Sequence, residues 1–217
     1  MKPYSKSCDQ NRDPILVVLS VLFARSREVL EIGSGTGQHA VYFGARMPNL
    51  IWHTSDRDEN HAGIRMWIEE AGLSNVLPPL ALDVSQNEWP AIEVDAVFSA
   101  NTTHIMHRHE VEALFAGVGQ VLSQQGLFAL YGPFNYDNGY TSESNARFDV
   151  WLKGRDPYSG IRNFEDLNRM AGQAGMVLKA DYEMPANNRI LCWEKLDPSQ
   201  ASAGAGSASQ LSSAHPV

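Results

Sequence analysis

The chain predicts an α/β fold: a mostly parallel sheet, helices on both faces, and an antiparallel hairpin at the C-terminal end. Three observations carry this. Five apolar runs alternate with helix-period segments over residues 28–131, the pattern of parallel strands joined by helical crossovers. The first run ends in a glycine-rich turn, Glu31-Ile32-Gly33-Ser34-Gly35-Thr36-Gly37, that opens directly into a helix. The last two runs, 176–184 and 189–195, are separated only by Pro185-Ala186-Asn187-Asn188, and strands joined so closely must be antiparallel.

Element by element, the first expectation is a buried helix over 14–24, with Asp13 as N-cap and Pro14 at the first helical position, where a missing N–H costs nothing. Asp9, Asp13 and the following Arg25-Ser26-Arg27 count against a signal peptide, and the run is too short to span a bilayer. A strand over 28–32 leads into a helix over 38–46, ended before Pro48. A strand over 50–55 precedes a helix over 60–71. Gly72 stops that helix, and Asp58 and Glu59 sit at its opening, where acids favour the dipole. Strands follow over 77–82 and 94–99. The helix over 109–122 places Val111, Leu114, Phe115, Val118 and Leu122 on one face. A fifth strand spans 126–131, a helix carries residues 145–155, and another spans 164–174 before the final hairpin. Residues 197–217 are Ala, Ser and Gly rich with almost nothing to bury, so they read as a disordered tail behind one domain, 1–196.

The glycine turn points to a nucleotide-like ligand held close to backbone, because glycine admits positive φ and puts no Cβ in the way. It is not the dinucleotide fingerprint G-x-G-x-x-G: the third glycine comes one place early and Gln38 stands where that pattern needs glycine. Glu31 suits a ligand with a cationic end and opposes a pyrophosphate. Asp56, nineteen residues after Gly37 at the end of the second strand, is placed to take ribose hydroxyls. A third acid, Asp83, follows the third strand in Leu80-Ala81-Leu82-Asp83-Val84.

The form E-x-G-x-G-x-G resembles motif I of the class I S-adenosylmethionine (SAM) methyltransferases. Further segments resemble the uncharacterised family that includes methyltransferase-like protein 26. They are Asn11-Arg12-Asp13-Pro14-Ile15-Leu16, Ser99-Ala100-Asn101-Thr102-Thr103-His104-Ile105, Leu130-Tyr131-Gly132-Pro133-Phe134, Ser144-Asn145-Ala146-Arg147-Phe148-Asp149 and Met184-Pro185-Ala186-Asn187-Asn188. The resemblance implies a Rossmann-like, seven-stranded sheet and SAM as cofactor. It assigns cofactor contacts to Glu31, Gly33, Ser34, Gly35, Gly37, Asp56 and Asn101. It also implies Asp83 on the adenine amino group and the Val84 N–H on the ring. Thr102-Thr103 depart from the apolar pair frequent in the family.

The net charge of −8, from 25 acids and 17 bases, counts against a nucleic-acid partner and for a small-molecule one. Cys8 and Cys192 show neither metal spacing nor a disulfide framework, which suits a cytoplasmic protein. His104, just past the fourth strand, is the candidate catalytic base. His104, His107, His109 and Glu110 do not form a convincing ligand set, and no metal is expected; a helix-capping or solvated role suits His107-Arg108-His109 better. Tyr131, Asn135, Asn145, Asp149 and Asn187 are the candidate acceptor contacts, Asn145 and Asp149 sharing a helix face by their i, i+4 spacing. The segment Tyr4, Ser5, Asn11 and Arg12 is a candidate lid, with Arg12 on the cofactor carboxylate. The resulting expectation is a SAM-dependent methyltransferase acting on a small polar molecule. The alternatives are a non-catalytic SAM-binding regulatory module and an NAD-type oxidoreductase.

Overall fold

The computed structural model describes residues 2–86 and 88–197, so the expected tail lies outside the described residues except for Asp197. The chain opens with helix α1 (Lys6–Leu22), then alternates β1 (Glu28–Ile32), α2 (Gln38–Arg46), β2 (Ile51–Asp56), α3 (Asp58–Ala71), β3 (Val76–Ala81), β4 (Val94–Ala100), α4 (Arg108–Val121) and β5 (Leu122–Gly132). After β5 come a two-residue strand β6 (Phe134–Asn135), α5 (Glu143–Arg155), β7 (Arg162–Asn163) and α6 (Phe164–Gln173). The antiparallel pair β8 (Met176–Met184) and β9 (Asn188–Lys195) closes the fold around a 3₁₀ turn, Pro185–Asn187.

Seven strands form one sheet in the order β3-β2-β1-β4-β5-β9-β8. All neighbours are parallel except β5 with β9 and β9 with β8. This is the expected architecture. Because the strands are buried on both faces, their side chains divide by the pleat. Leu30, Ile32, Val97, Phe128 and Leu130 join α4 and α6 residues such as Phe115 and Met170 in one core layer. Val29, Trp52, Ala96, Phe98 and Tyr131 join Ile15, Leu19, Ala40 and Phe43 of α1 and α2 in the other. Among the described residues no helix is long and apolar enough to cross a membrane.

One element differs substantially from expectation. α1 starts at Lys6 with Ser5 as N-cap, so Asp13 is not a cap and Pro14 lies inside the helix. The stripe Asn11, Ile15 and Leu19 is buried at i, i+4 spacing. That burial outweighs the hydrogen bond lost at an internal proline, a cost of about 3 kcal/mol. The small β6–β7 sheet was not foreseen; strands of two residues carry no periodicity to read.

Candidate functional site

The glycine turn is a backbone-bonded hook on the end of β1. The N–H groups of Gly33 and Ser34 both donate to the Ser55 carbonyl at 3.0 Å, and Gly37 N–H donates to the Ser34 carbonyl at 2.8 Å. The glycines serve three purposes. Gly33 has φ +73° and lies so close to the next loop that a Cβ would come 2.7 Å from Thr102 Cγ2. Gly35, at φ +58°, would place a Cβ in open space with nothing within 4 Å, on the cavity side. Gly37 lets α2 approach α3, because a Cβ there would sit 3.1 Å from Ile64 Cα. Gly37, an expected cofactor contact, does not line the cavity.

Above the carboxyl ends of β1, β2 and β3 lies a cavity of about 860 Å³, within the size range of small-ligand sites. Ser34, Gly35, Asp56, Asp83, Val84 and Asn101 line it, as the sequence suggests. Asp56 Oδ2 accepts from Gly35 N–H at 2.7 Å, and its Oδ1 accepts from Arg57 N–H at 2.8 Å and the Asn60 amide at 2.7 Å. A carboxylate has about four lone-pair sites, so one remains for a ligand. Asp83 turns its own loop by accepting from the Ser85 N–H and hydroxyl, which holds its pKa below the usual carboxylate range. Asn101, at φ +60°, donates its N–H to the Tyr131 carbonyl at the rim of the cavity.

The N-terminal segment forms a wall of this cavity through Pro3, Ser5, Ser7 and Cys8. Trp67 Nε1–H donates to the Pro3 carbonyl at 2.7 Å, and the Gln38 side chain accepts from Ser5 N–H. Gln38, read in sequence only as a broken fingerprint, is therefore the clasp for this wall. Arg12 does not join it: its guanidinium pairs with Asp9 at 2.7 Å and lies 4.5 Å over the Tyr42 ring, outside the cavity. Asn11 is buried and bonds His39 Nε2 at 2.7 Å, again away from a lid position.

Glu31 also departs from expectation. The pleat turns it sideways into the layer under α2, where its Oε2 accepts from Ser34 Oγ at 2.9 Å and Trp52 Nε1–H at 3.2 Å. It is 2% exposed and does not line the cavity. Burial raises its pKa to about 7 against the lowering effect of those two donors.

A second cavity, about 950 Å³, lies between α1, α5, the 3₁₀ turn and the loop after β4. It shares Ser7, Asn101 and Ile105 with the first, so the two chambers meet there. His104, Tyr131, Asn145 and Asn187 line it as expected. His104 is buried against the edge of Phe148, with ring centroids 5.2 Å apart. Burial, and then the charge of Arg162, lower its pKa to about 4, so it is neutral near pH 7. Arg162 grips the surrounding loops, donating to the carbonyls of Thr103 and Tyr158 at 3.0 Å and to that of Met106. Asn145 donates to Thr141 Oγ1 at 2.9 Å and to the Asn187 carbonyl at 3.1 Å. Ala186 and Asn187 are both left-handed, at φ +58° and +57°, a conformation costing about 1–2 kcal/mol for a residue with a Cβ.

Two expected acceptor contacts fall elsewhere. Asp149 lies beneath the cavity, its carboxylate taken by the Tyr140 hydroxyl, Lys153 Nζ and the Ile161 N–H at 2.6–2.7 Å. The i, i+4 spacing does put Asn145 and Asp149 on one buried face, but only its Asn145 end opens to the cavity. Asn135 is buried in the β6–β7 pair and does not line the cavity. Phe148, Trp151 and Ser7 are the lining residues that sequence reasoning missed, as it missed Arg162 behind His104. The aromatic pair carries a readable signal, an i, i+3 repeat beside Asn145. His107 behaves as expected of a helix cap: its N–H donates to Glu110, three residues into α4.

A family model described as Protein of unknown function (DUF938) matches residues 2–195. Among solved structures, an O-methyltransferase family protein from Burkholderia thailandensis superposes with TM-score 0.76 at 15% identity, over 86% of this chain and 56% of that one. The S-adenosylmethionine-dependent methyltransferase SibL, in its apo form, gives 0.75 at 20%, over 88% and 56%. The O-methyltransferase NcsB1 from neocarzinostatin biosynthesis, in complex with S-adenosylmethionine and 2-hydroxy-5-methyl naphthoic acid, gives 0.71 at 13%, over 88% and 55%. The chain thus has the methyltransferase fold and spans little more than half the length of these relatives.

Proposed function

Because the chain belongs to the DUF938 family and has the methyltransferase fold, we propose that it is a SAM-dependent methyltransferase acting on a small polar molecule. The observation that carries this is the pair of chambers meeting at Ser7, Asn101 and Ile105. One is acidic and walled by a glycine hook. The other is walled by aromatic rings and amides. The chemistry of the first fits SAM. Gly35 leaves room where a Cβ would intrude, Asp56 keeps a free lone pair for ribose, and Asp83 with Val84 stands where an adenine edge is read. When bound, SAM supplies a methyl group on a positively charged sulfur.

The protein's own part is alignment. Ser7, Asn101 and Ile105 define the passage between the chambers, and fixing two reactants across it converts a bimolecular step into a unimolecular one. His104 is neutral and accepts a hydrogen bond from the acceptor's O–H or N–H. With a pKa near 4 it is poorly matched as a full proton acceptor at pH 7, so its role is chiefly orientation. The same reading places the chain beside methyltransferase-like protein 26, in the cytoplasm, with a single domain ending near residue 196.

Calorimetric titration with SAM, S-adenosylhomocysteine and NAD tests this. Both adenosyl compounds should bind and NAD should bind far more weakly; tighter binding of NAD refutes the proposal. His104→Ala should leave S-adenosylhomocysteine affinity unchanged.

A further inference from the structure

The two chambers differ in charge. Asp56, Glu59, Asp83 and Glu110 line the first against Arg57, leaving it acidic. In the second, only Arg155 and Asp156 are charged near neutral pH. Asp156 has partners of its own: Oδ2 meets His107 Nε2 at 2.8 Å and accepts from Ser159 Oγ at 3.4 Å, and Oδ1 accepts from Tyr158 N–H at 3.0 Å. Arg155 has no such partner. Among the described residues no carboxylate lies within 4.0 Å of it, and its guanidinium sits 4.8 Å over the Trp151 ring. Trp151 in turn stacks on Phe148, with centroids 5.8 Å apart and an interplanar angle of 16°. Phe148 meets the His104 ring edge-on. Positions 148, 151 and 155 fall at i, i+3 and i+7 on α5, so one helix face carries a path of planar groups from the buried imidazole to the free guanidinium.

We propose that the second chamber takes a planar aromatic carboxylate, its ring along Phe148 and Trp151 and its carboxylate on Arg155. This rests on the methyltransferase reading and names the acceptor class for that chamber. A guanidinium presents a rigid fork that matches a carboxylate, and it is already set over an aromatic face. An aromatic amine meets the same unpaired cation and is repelled. The acid expected at this site from sequence, Asp149, is sealed away beneath the floor, so the carboxylate left on this chamber is Asp156, already bonded to His107, Tyr158 and Ser159.

The test is calorimetry on the full chain saturated with S-adenosylhomocysteine, using indole-3-acetate, its uncharged amide indole-3-acetamide, and the amine tryptamine. The three share one ring and differ in charge. Arg155 is on an exposed rim, so screening limits the effect; the acid should bind about fivefold to tenfold more tightly than the amide, and the amine most weakly. Arg155→Gln should abolish the preference for the acid, Arg155→Lys should keep part of it, and added salt should shrink it. Binding of the amide or amine as tight as the acid overturns the proposal. So does a preference that survives Arg155→Gln, or a complex with S-adenosylhomocysteine that binds none of the three. Failure of S-adenosylhomocysteine itself to bind would instead overturn the methyltransferase reading.

Discussion

Replacing Gly33 by alanine tests how the glycine hook is built. Two costs are separable. The residue sits at φ +73°, which charges a Cβ-bearing residue about 1–2 kcal/mol. The new methyl would also lie 2.7 Å from Thr102 Cγ2, and forcing a methyl into a packed site costs about 1–3 kcal/mol. Gly33→Ala should therefore lose about 2–5 kcal/mol, or about 4–20 °C in Tm for a domain of this size. Thr102→Ser removes the offending methyl and keeps the hydroxyl that bonds Ser99 Oγ at 2.8 Å. In the double variant the backbone cost remains and the clash disappears. Urea unfolding of the ligand-free wild type, both singles and the double should then give a favourable coupling of about 1–3 kcal/mol. Additivity within about 0.5 kcal/mol would show that Thr102 does not confine Gly33, and the packing account would fail.

Asp56→Ala should weaken S-adenosylhomocysteine binding at least about tenfold. It should also lower Tm, because Gly35, Arg57 and Asn60 lose their acceptor; an unchanged Tm in calorimetry would contradict those bonds. Stability should fall as pH drops from about 6.5 to 4.5. His39 and His104, both with pKa lowered to about 4 by burial, bind fewer protons folded than unfolded there, each favouring the folded state at higher pH by on the order of 3 kcal/mol. Glu31, raised to about 7, opposes them with the reverse sign and a similar size, so the net slope is that of one histidine. Glu31→Gln should steepen it, and a Tm that rises on acidification to pH 4.5 would contradict the burial of both histidines. Arg162→Leu leaves the carbonyls of Thr103, Met106 and Tyr158 without their charged donor and should cost about 3 kcal/mol or more. The His104 pKa, followed by NMR, should rise; no movement would separate Arg162 from that ring.

The fold was legible because strand runs and glycine punctuation are local signals. Gly72 is the left-handed C-cap of α3, and Asp58 and Glu59 open that helix, as their chemistry indicates. The acids at strand ends were legible for the same reason: a parallel sheet puts Asp56, Asp83 and Asn101 at one rim wherever its registers fall. Pointing direction was not. Glu31 is one pleat position from Ile32 and faces a different layer, and motif spacing does not encode that. Asp149 was misread because helical spacing identifies a face but not where along it a cavity opens. Arg162 lies in an ordinary sequence context, and its role depends on loops brought together from more than fifty residues away.

Pro14 has no N–H to give the Gln10 carbonyl, so the hydrogen-bond ladder of α1 lacks one rung between the run before Pro14 and the run after it. The later run is anchored by Ile15 and Leu19, both fully buried. The earlier run carries Ser7 and Cys8 on the first chamber, and it and the residues before it are held by side chains of Gln38, His39 and Trp67. Local opening of such a segment costs less free energy than unfolding the domain. In deuterium exchange the amides before Pro14 should trade their protons well ahead of those after it.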